Sequence, residues 1–192
     1  IRHLSSVSDS ALPFPAVRTE DAARQWMCGS PSAYCNLTDP ALLRRILPDF
    51  DRETADFFRW KVVYEREALE SILREKTGVD FGMLHRLTPL ERGPSGRIVR
   101  LRIEGSKESL VVGKELEIRR CLSRSHLYSS AFVVSSERGG SGLPVRFILE
   151  GAGWGHGVGL CQIGAAAMAA RGAAAETILK HYFRGAVLRR CY

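Results

Sequence analysis

Long hydrophobic runs are missing from this chain of 192 residues. No stretch approaches the roughly 18 apolar residues that would span a bilayer. The longest quiet one, 163–170, is short and rich in alanine. Neither a membrane-spanning helix nor a membrane tether is expected within these residues. Nucleic-acid reader motifs are missing as well: there is no recognition-helix pattern, zinc finger or aromatic stacking signature. The chain starts Ile1-Arg2-His3, with no Met, signal peptide or lipidation motif, and the expectation is a processed or trimmed piece of a longer protein.

What is present is enough for one sizeable domain or two small ones. Hydrophobic residues make up 45% of the chain and charged residues 26%, a balance that builds a core rather than a disordered or fibrous chain. Lys and Arg number 28 against 21 Asp and Glu, a net charge of +7. Such a surface favours an anionic polymer: nucleic acid, an acidic membrane face, or a carboxylate-bearing wall glycan. The basic residues are interspersed with acidic ones, and nucleic acid is not expected as the partner.

Five cysteines make an odd count. Cys28 and Cys35 bracket Gly29-Ser30-Pro31-Ser32-Ala33-Tyr34, turn residues that could bring the two thiols together. The competing reading, half of a zinc site, has a gap wider than the usual ligand spacing and no second Cys/His pair after it. A Cys28–Cys35 disulfide is favoured, and with it export. No metal and no cofactor are expected. Cys121, Cys161 and Cys191 read as small buried residues rather than reactive ones.

The expected fold class is α+β, with antiparallel hairpins packed by several short helices. Residues 1–56 are punctuated by Pro13, Pro15, Pro31, Pro40 and Pro48 and read as an irregular, turn-rich segment ahead of a core over 57–192. Within that segment, Thr19 caps one short helix, and Thr38-Asp39-Pro40 opens another running to Ile46. Phe58, Trp60, Val62 and Tyr64 alternate with Arg59, Lys61, Val63 and Glu65, a strand pattern. Residues 66–77 read as an amphipathic helix with Leu69, Ile72 and Leu73 on one face and Gly78 after its end. A hairpin follows, 83–91 and 97–104 about Gly93-Pro94-Ser95-Gly96, with Ile98, Arg100 and Arg102 alternating against Val99, Leu101 and Ile103. Leu110-Val111-Val112 follows a turn at Gly105-Ser106, and 115–122 is a helix candidate. Segments 130–135 and 144–149 pair about Gly139-Gly140-Ser141-Gly142.

The distinctive segment is 151–165, where glycine recurs at every second position from 151 to 159. No stable helix or central strand favours that pattern, whereas a backbone approached closely by a ligand does. It runs into an alanine-rich helix over 162–171 closed by Gly172, whose positive end suits an anion or a developing oxyanion. A P-loop is excluded because no Lys-Ser/Thr follows the glycines, and a dinucleotide site is disfavoured by the hairpins upstream. His156, between two glycines, is free to reach a substrate with an imidazole that titrates near neutrality, or to tie the loop down. Gln162 can donate and accept together and so suits a sugar hydroxyl or acetamido group. Cys161 beside it suggests a nucleophilic thiol, but no third group to orient a Cys–His pair is identifiable.

The run from Gly153 to Ala165, then Met168-Ala169 and Ile178-Leu179-Lys180-His181-Tyr182-Phe183-Arg184-Gly185, closely resembles the C-terminal signature of the stage II sporulation protein D family, which includes the amidase-enhancer proteins. Ser95-Gly96-Arg97-Ile98 and Val112-Gly113-Lys114 resemble it too, and the likeness covers about residues 57–186. The resemblance implies an exported peptidoglycan protein, a lytic transglycosylase that cleaves MurNAc–GlcNAc linkages and leaves a 1,6-anhydro end. It implies Trp154, Gly155, His156, Gly157, Cys161, Gln162 and Gly164 as substrate-binding residues and peptidoglycan strands as the partner. The enhancer branch implies the alternative: a non-catalytic wall-binding module or regulator that recruits a cell-wall amidase. Two departures stand out. The family pattern usually has Ser where this chain has Cys161, and its glutamate-bearing N-terminal motif is not found in 1–56. A lytic transglycosylase needs one carboxylic acid to protonate the glycosidic oxygen. Glu150, the acid nearest the glycines, is the weak candidate, and the fragment is expected to be inactive by itself.

Overall fold

A computed structural model describes residues 5–37, 39–46 and 58–189. Thr38, Pro48 and Cys191 lie outside the described residues. The fold is α+β, with six helices and two antiparallel three-stranded sheets among the described residues. The helices are α1 (Glu20–Cys28), α2 (Pro40–Ile46), α3 (Arg66–Thr77), α4 (Glu115–Cys121), α5 (Gln162–Ala170) and α6 (Ala175–Tyr182). The strands are β1 (Arg59–Glu65), β2 (Leu84–Arg92), β3 (Ile98–Gly105), β4 (Ser109–Gly113), β5 (Phe132–Arg138) and β6 (Pro144–Ala152).

The chain folds into two compact units that interleave along the sequence. Unit 1 gathers the described residues within Ile1–Pro15, Ser30–Phe58 and Gly157–Tyr192; unit 2 is Ala16–Gly29 with Arg59–His156. Residues before Arg59 divide between both units, and the glycine-rich segment passes from one to the other after His156.

Unit 2 holds both sheets, in the orders β1-β6-β5 and β2-β3-β4. A common core joins Trp60 of β1, Leu69 and Leu73 of α3, Leu84 and Leu87 of β2, Leu101 and Ile103 of β3, Ile118 of α4, Phe132 of β5 and Leu149 of β6. β1 buries Trp60 and half-buries Val62 and Tyr64 while Lys61, Val63 and Glu65 face solvent, the expected alternation. In α3 the buried residues are Leu69, Ile72 and Leu73, and Gly78 at φ 73° donates its N–H to the Arg74 carbonyl, a left-handed stop that glycine enters without strain. Strand β3 departs from simple alternation. A register shift between Glu91 and Arg92 opposes Arg92 to Ile98 and Glu91 to Arg100. The extra residue in β3 turns Ile98 into the core instead of onto the face of Arg100 and Arg102.

Helix α1 is capped as expected, with Thr19 Oγ1 accepting from the Ala22 N–H at 3.2 Å, and the Arg59 guanidinium donates to the carbonyls of Trp26 and Gly29 at its other end. A buried arginine fastens this helix to the strands. Arg92 donates to both carboxylate oxygens of Glu20, to the Gly96 carbonyl at 2.7 Å and to the Phe132 carbonyl at 2.8 Å. In unit 1, Asp39 Oδ1 accepts the N–H groups of Ala41 and Leu42 and so caps α2, with Pro40 as its first residue. α5 ends one residue before the expected 171. α6, not anticipated from the sequence, buries Ile178 and Tyr182, four residues apart on one face.

Candidate functional site

The first part of the glycine-rich segment belongs to unit 2. Gly151 and Ala152 are the last residues of β6, the central strand of its sheet, where a run of glycines was not expected. The reason is Trp60: a Cβ on Gly151 would fall within its indole ring. Beyond the strand, the Trp60 indole N–H donates to the Gly153 carbonyl at 3.1 Å, the Gly155 N–H to the Tyr128 carbonyl at 2.9 Å, and Arg97 Nε to the Gly155 carbonyl at 2.8 Å. Trp154 is half-buried and stacks on Tyr128, with centroids 5.1 Å apart and planes 15° off parallel. The loop is therefore fastened on the side of the fold and ends in an exposed His156. Gly153, Gly155, Gly157 and Gly159 all have positive φ, between 64° and 82°, a backbone conformation that disfavours side chains at these four positions.

Glu150 lies on β6 opposite Lys61 and Val133. Its side chain is 41% exposed and 4.0 Å from Lys61 Nζ, with neither the burial nor the distance from cations that a proton-holding carboxyl requires. A hollow of about 270 Å³ in unit 2 is lined by His85, Arg86 and Thr88 of β2 and by Ser135, Ser136 and Arg138 of β5. None of the residues nominated from the sequence lines it.

In unit 1 the segment continues through Gly157 and Gly159 into α5. Gln162 is exposed in the first turn of this helix. Cys161 is its N-cap, and its sulfur accepts the Gly164 N–H at 3.4 Å. Gly164 itself is buried: a Cβ there would collide with the Asp9 carboxylate and the Tyr182 hydroxyl. Of the residues nominated as substrate contacts, His156 and Gln162 are the exposed ones, Trp154, Gly155, Gly157 and Cys161 are half-buried, and Gly164 is enclosed.

The expected Cys28–Cys35 bridge is not formed. Both thiols are free, with Cys28 exposed at the end of α1 in unit 2. Cys35 is held elsewhere: its N–H donates to Asp9 Oδ2 at 2.8 Å, and its sulfur lies beside Cys161. The cysteine argument for export falls with the bridge. Cys121 is buried as expected, and burial pushes its thiol up to about 12.

Asp9, Cys35 and Cys161 form the cluster that the sequence reading missed. One carboxylate oxygen and the two sulfurs lie within 4.8 Å of one another, all half-buried. The Asp9 carboxylate is oriented from two sides, by the Cys35 N–H at Oδ2 and by the Tyr182 hydroxyl, which donates to Oδ1. The Asp9 carbonyl accepts the Tyr34 N–H at 2.7 Å. The two thiols are set apart in acidity. The hydrogen bond from Cys35 lowers the Cys161 thiol, helped by the Gly164 N–H at the helix start; bonding to Cys161, together with burial and the Asp9 charge, raises Cys35. Burial, the hydrogen bond to Asp9 and its charge raise Tyr182, so its phenol stays a donor. These three ligand-type groups could together hold a soft divalent metal ion. The one sequence signal for the cluster was Gly164, since glycine in an alanine-rich helix costs about 1 kcal/mol against alanine unless something occupies the Cβ position.

The chain belongs to the family defined as Domain of unknown function (DUF8618), whose model matches residues 2–159. No curated protein matches the chain.

Proposed function

We propose that this protein binds the glycan strands of peptidoglycan through its glycine-rich segment, as an exported wall protein of the lytic-transglycosylase type. The observation supporting this reading is the exposure of His156 and Gln162 on a segment whose alternate glycines hold left-handed backbone. A backbone without side chains at alternate positions admits a polymer close to its amides there, while an imidazole and a carboxamide are suited to sugar hydroxyls and acetamido groups. The net charge of +7 favours a polyanionic wall. Each residue is proposed as a contact in its own right. Binding, rather than cleavage, is the activity assigned to these residues, because Glu150 is paired with Lys61 at the surface.

Co-sedimentation with purified insoluble peptidoglycan tests the reading. The protein should pellet with the wall, His156→Ala and Gln162→Ala should each weaken binding several-fold, and excess nucleic acid should not compete. A soluble protein that stays in the supernatant, or binding unchanged in both variants, overturns it. Anhydro-muropeptides released by this chain alone would overturn the assignment of binding without cleavage.

A further inference from the structure

The geometry points to a zinc-class divalent metal site in unit 1, formed by the Asp9 carboxylate and the Cys35 and Cys161 thiolates, with a fourth coordination position left to water or an exogenous ligand. Two observations carry this. The first is spacing. Tetrahedral zinc, with Zn–S near 2.3 Å and Zn–O near 2.0–2.2 Å, sets its ligand atoms about 3.5–3.8 Å apart. The three donor atoms lie within 4.8 Å of one another.

The second is the supporting shell. Ligating carboxylates are held by outer hydrogen bonds that fix their direction. Asp9 has the Tyr182 hydroxyl on one oxygen and the Cys35 N–H on the other. Cys161 receives the Gly164 N–H, the kind of donor that steadies a thiolate. Gly164 is glycine where α5 would accept alanine, because the Asp9 carboxylate and the Tyr182 hydroxyl fill the place of its Cβ. The helix has been hollowed to admit this pair.

A Cys35–Cys161 disulfide is the competing outcome. Metal binding replaces the thiol protons of Cys35 and Cys161, which leave to the buffer. Two thiolates with one carboxylate select zinc over the hard cations, and three protein ligands correspond to an open rather than a closed site.

The inference is independent of glycan binding, and either can fail alone. The test uses the full chain, reduced and stripped of metal. Zn²⁺ should bind at one equivalent per chain, and Co²⁺ should give thiolate-to-metal charge-transfer absorption that Zn²⁺ abolishes. Asp9→Asn, Cys35→Ser and Cys161→Ser should each weaken Zn²⁺ binding at least tenfold, and Tyr182→Phe about tenfold. Cys28→Ser and Cys121→Ser should leave it unchanged. A measurement on the unaltered chain guards against variants that fail to fold: Zn²⁺ should protect Cys35 and Cys161, but not Cys28, from alkylation, and chelation should reverse the protection. Reduced protein that takes up no Zn²⁺, a cobalt spectrum without thiolate bands, or protection that spares neither cysteine overturns the proposal. So does recovery of a Cys35–Cys161 disulfide from protein that binds no metal once reduced.

Discussion

The indole ring of Trp60 occupies the space that a side chain on Gly151 would need, and the two residues face each other across the β1–β6 ladder. Glycine in a central strand weakens it unless a neighbour uses the vacated volume, and here the neighbour is the largest side chain available. Gly151→Ala should destabilise the protein by about 1–3 kcal/mol through overpacking, measured by urea denaturation. In a Trp60→Leu background the same alanine should cost less than it does in the parent, since the smaller side chain makes room, a coupling read from the double-mutant cycle. A Gly151→Ala protein as stable as the parent would remove this account of the strand.

Arg92 should prove among the costliest single side chains to lose. Its guanidinium is almost wholly buried, 1% exposed, and serves Glu20 and two backbone carbonyls. Arg92→Met keeps the apolar stem but strands those carbonyls, at about 2–4 kcal/mol. The contrasting case is Lys107, paired with Asp80 at 2.6 Å on the open surface; Lys107→Ala should cost no more than about 1 kcal/mol. Denaturant midpoints of the two variants, compared at equal slope, decide the ranking.

The thiols should differ in the pH at which they alkylate. Cys161 is lowered by the Cys35 hydrogen bond, so in metal-free protein its rate should rise as pH climbs through a midpoint below the ordinary thiol value of about 8.5. Cys35→Ala removes the first cause of that lowering and should move the midpoint upward. Cys121, pushed up to about 12 by burial, should stay unreactive in the folded protein up to strongly alkaline pH. Mass-spectrometric mapping of iodoacetamide adducts across pH separates the sites.

Gly164→Ala should act on Asp9 more than on α5. Alanine raises helix propensity by about 1 kcal/mol, yet its Cβ would meet the carboxylate and the Tyr182 hydroxyl. The expected result is a protein with lower stability and Zn²⁺ binding weakened at least tenfold, followed by calorimetry. A more stable variant with undiminished binding would show that the crowding at Gly164 is relieved at no cost.

Much of the secondary structure could be read directly from residue patterns, because local chemistry decides it. Thr19 caps α1, Gly78 stops α3, and Trp60, Val62 and Tyr64 share one side of β1. Ile98 could not be placed by alternation, because its burial depends on a register shift against β2 that no single strand encodes. The pairing of β1 with β6 joins segments distant in sequence and was equally hidden. α6 was legible in retrospect: Glu176 and Lys180 pair at 2.6 Å one turn apart, and Ile178 and Tyr182 repeat at the same interval. The cluster at Asp9 was not, since its donors come from three separate stretches of chain, and nearness in sequence pointed Cys35 to Cys28 instead.

The interleaving of the two units has a practical cost for anyone trimming the gene. The family match stops at residue 159, a natural-looking place to end a recombinant fragment. A protein cut there keeps Asp9 and Cys35 but discards Cys161, Gly164 and Tyr182, along with α5 and α6. Such a truncation would purify as the whole of unit 2 trailing the orphaned remains of its neighbour.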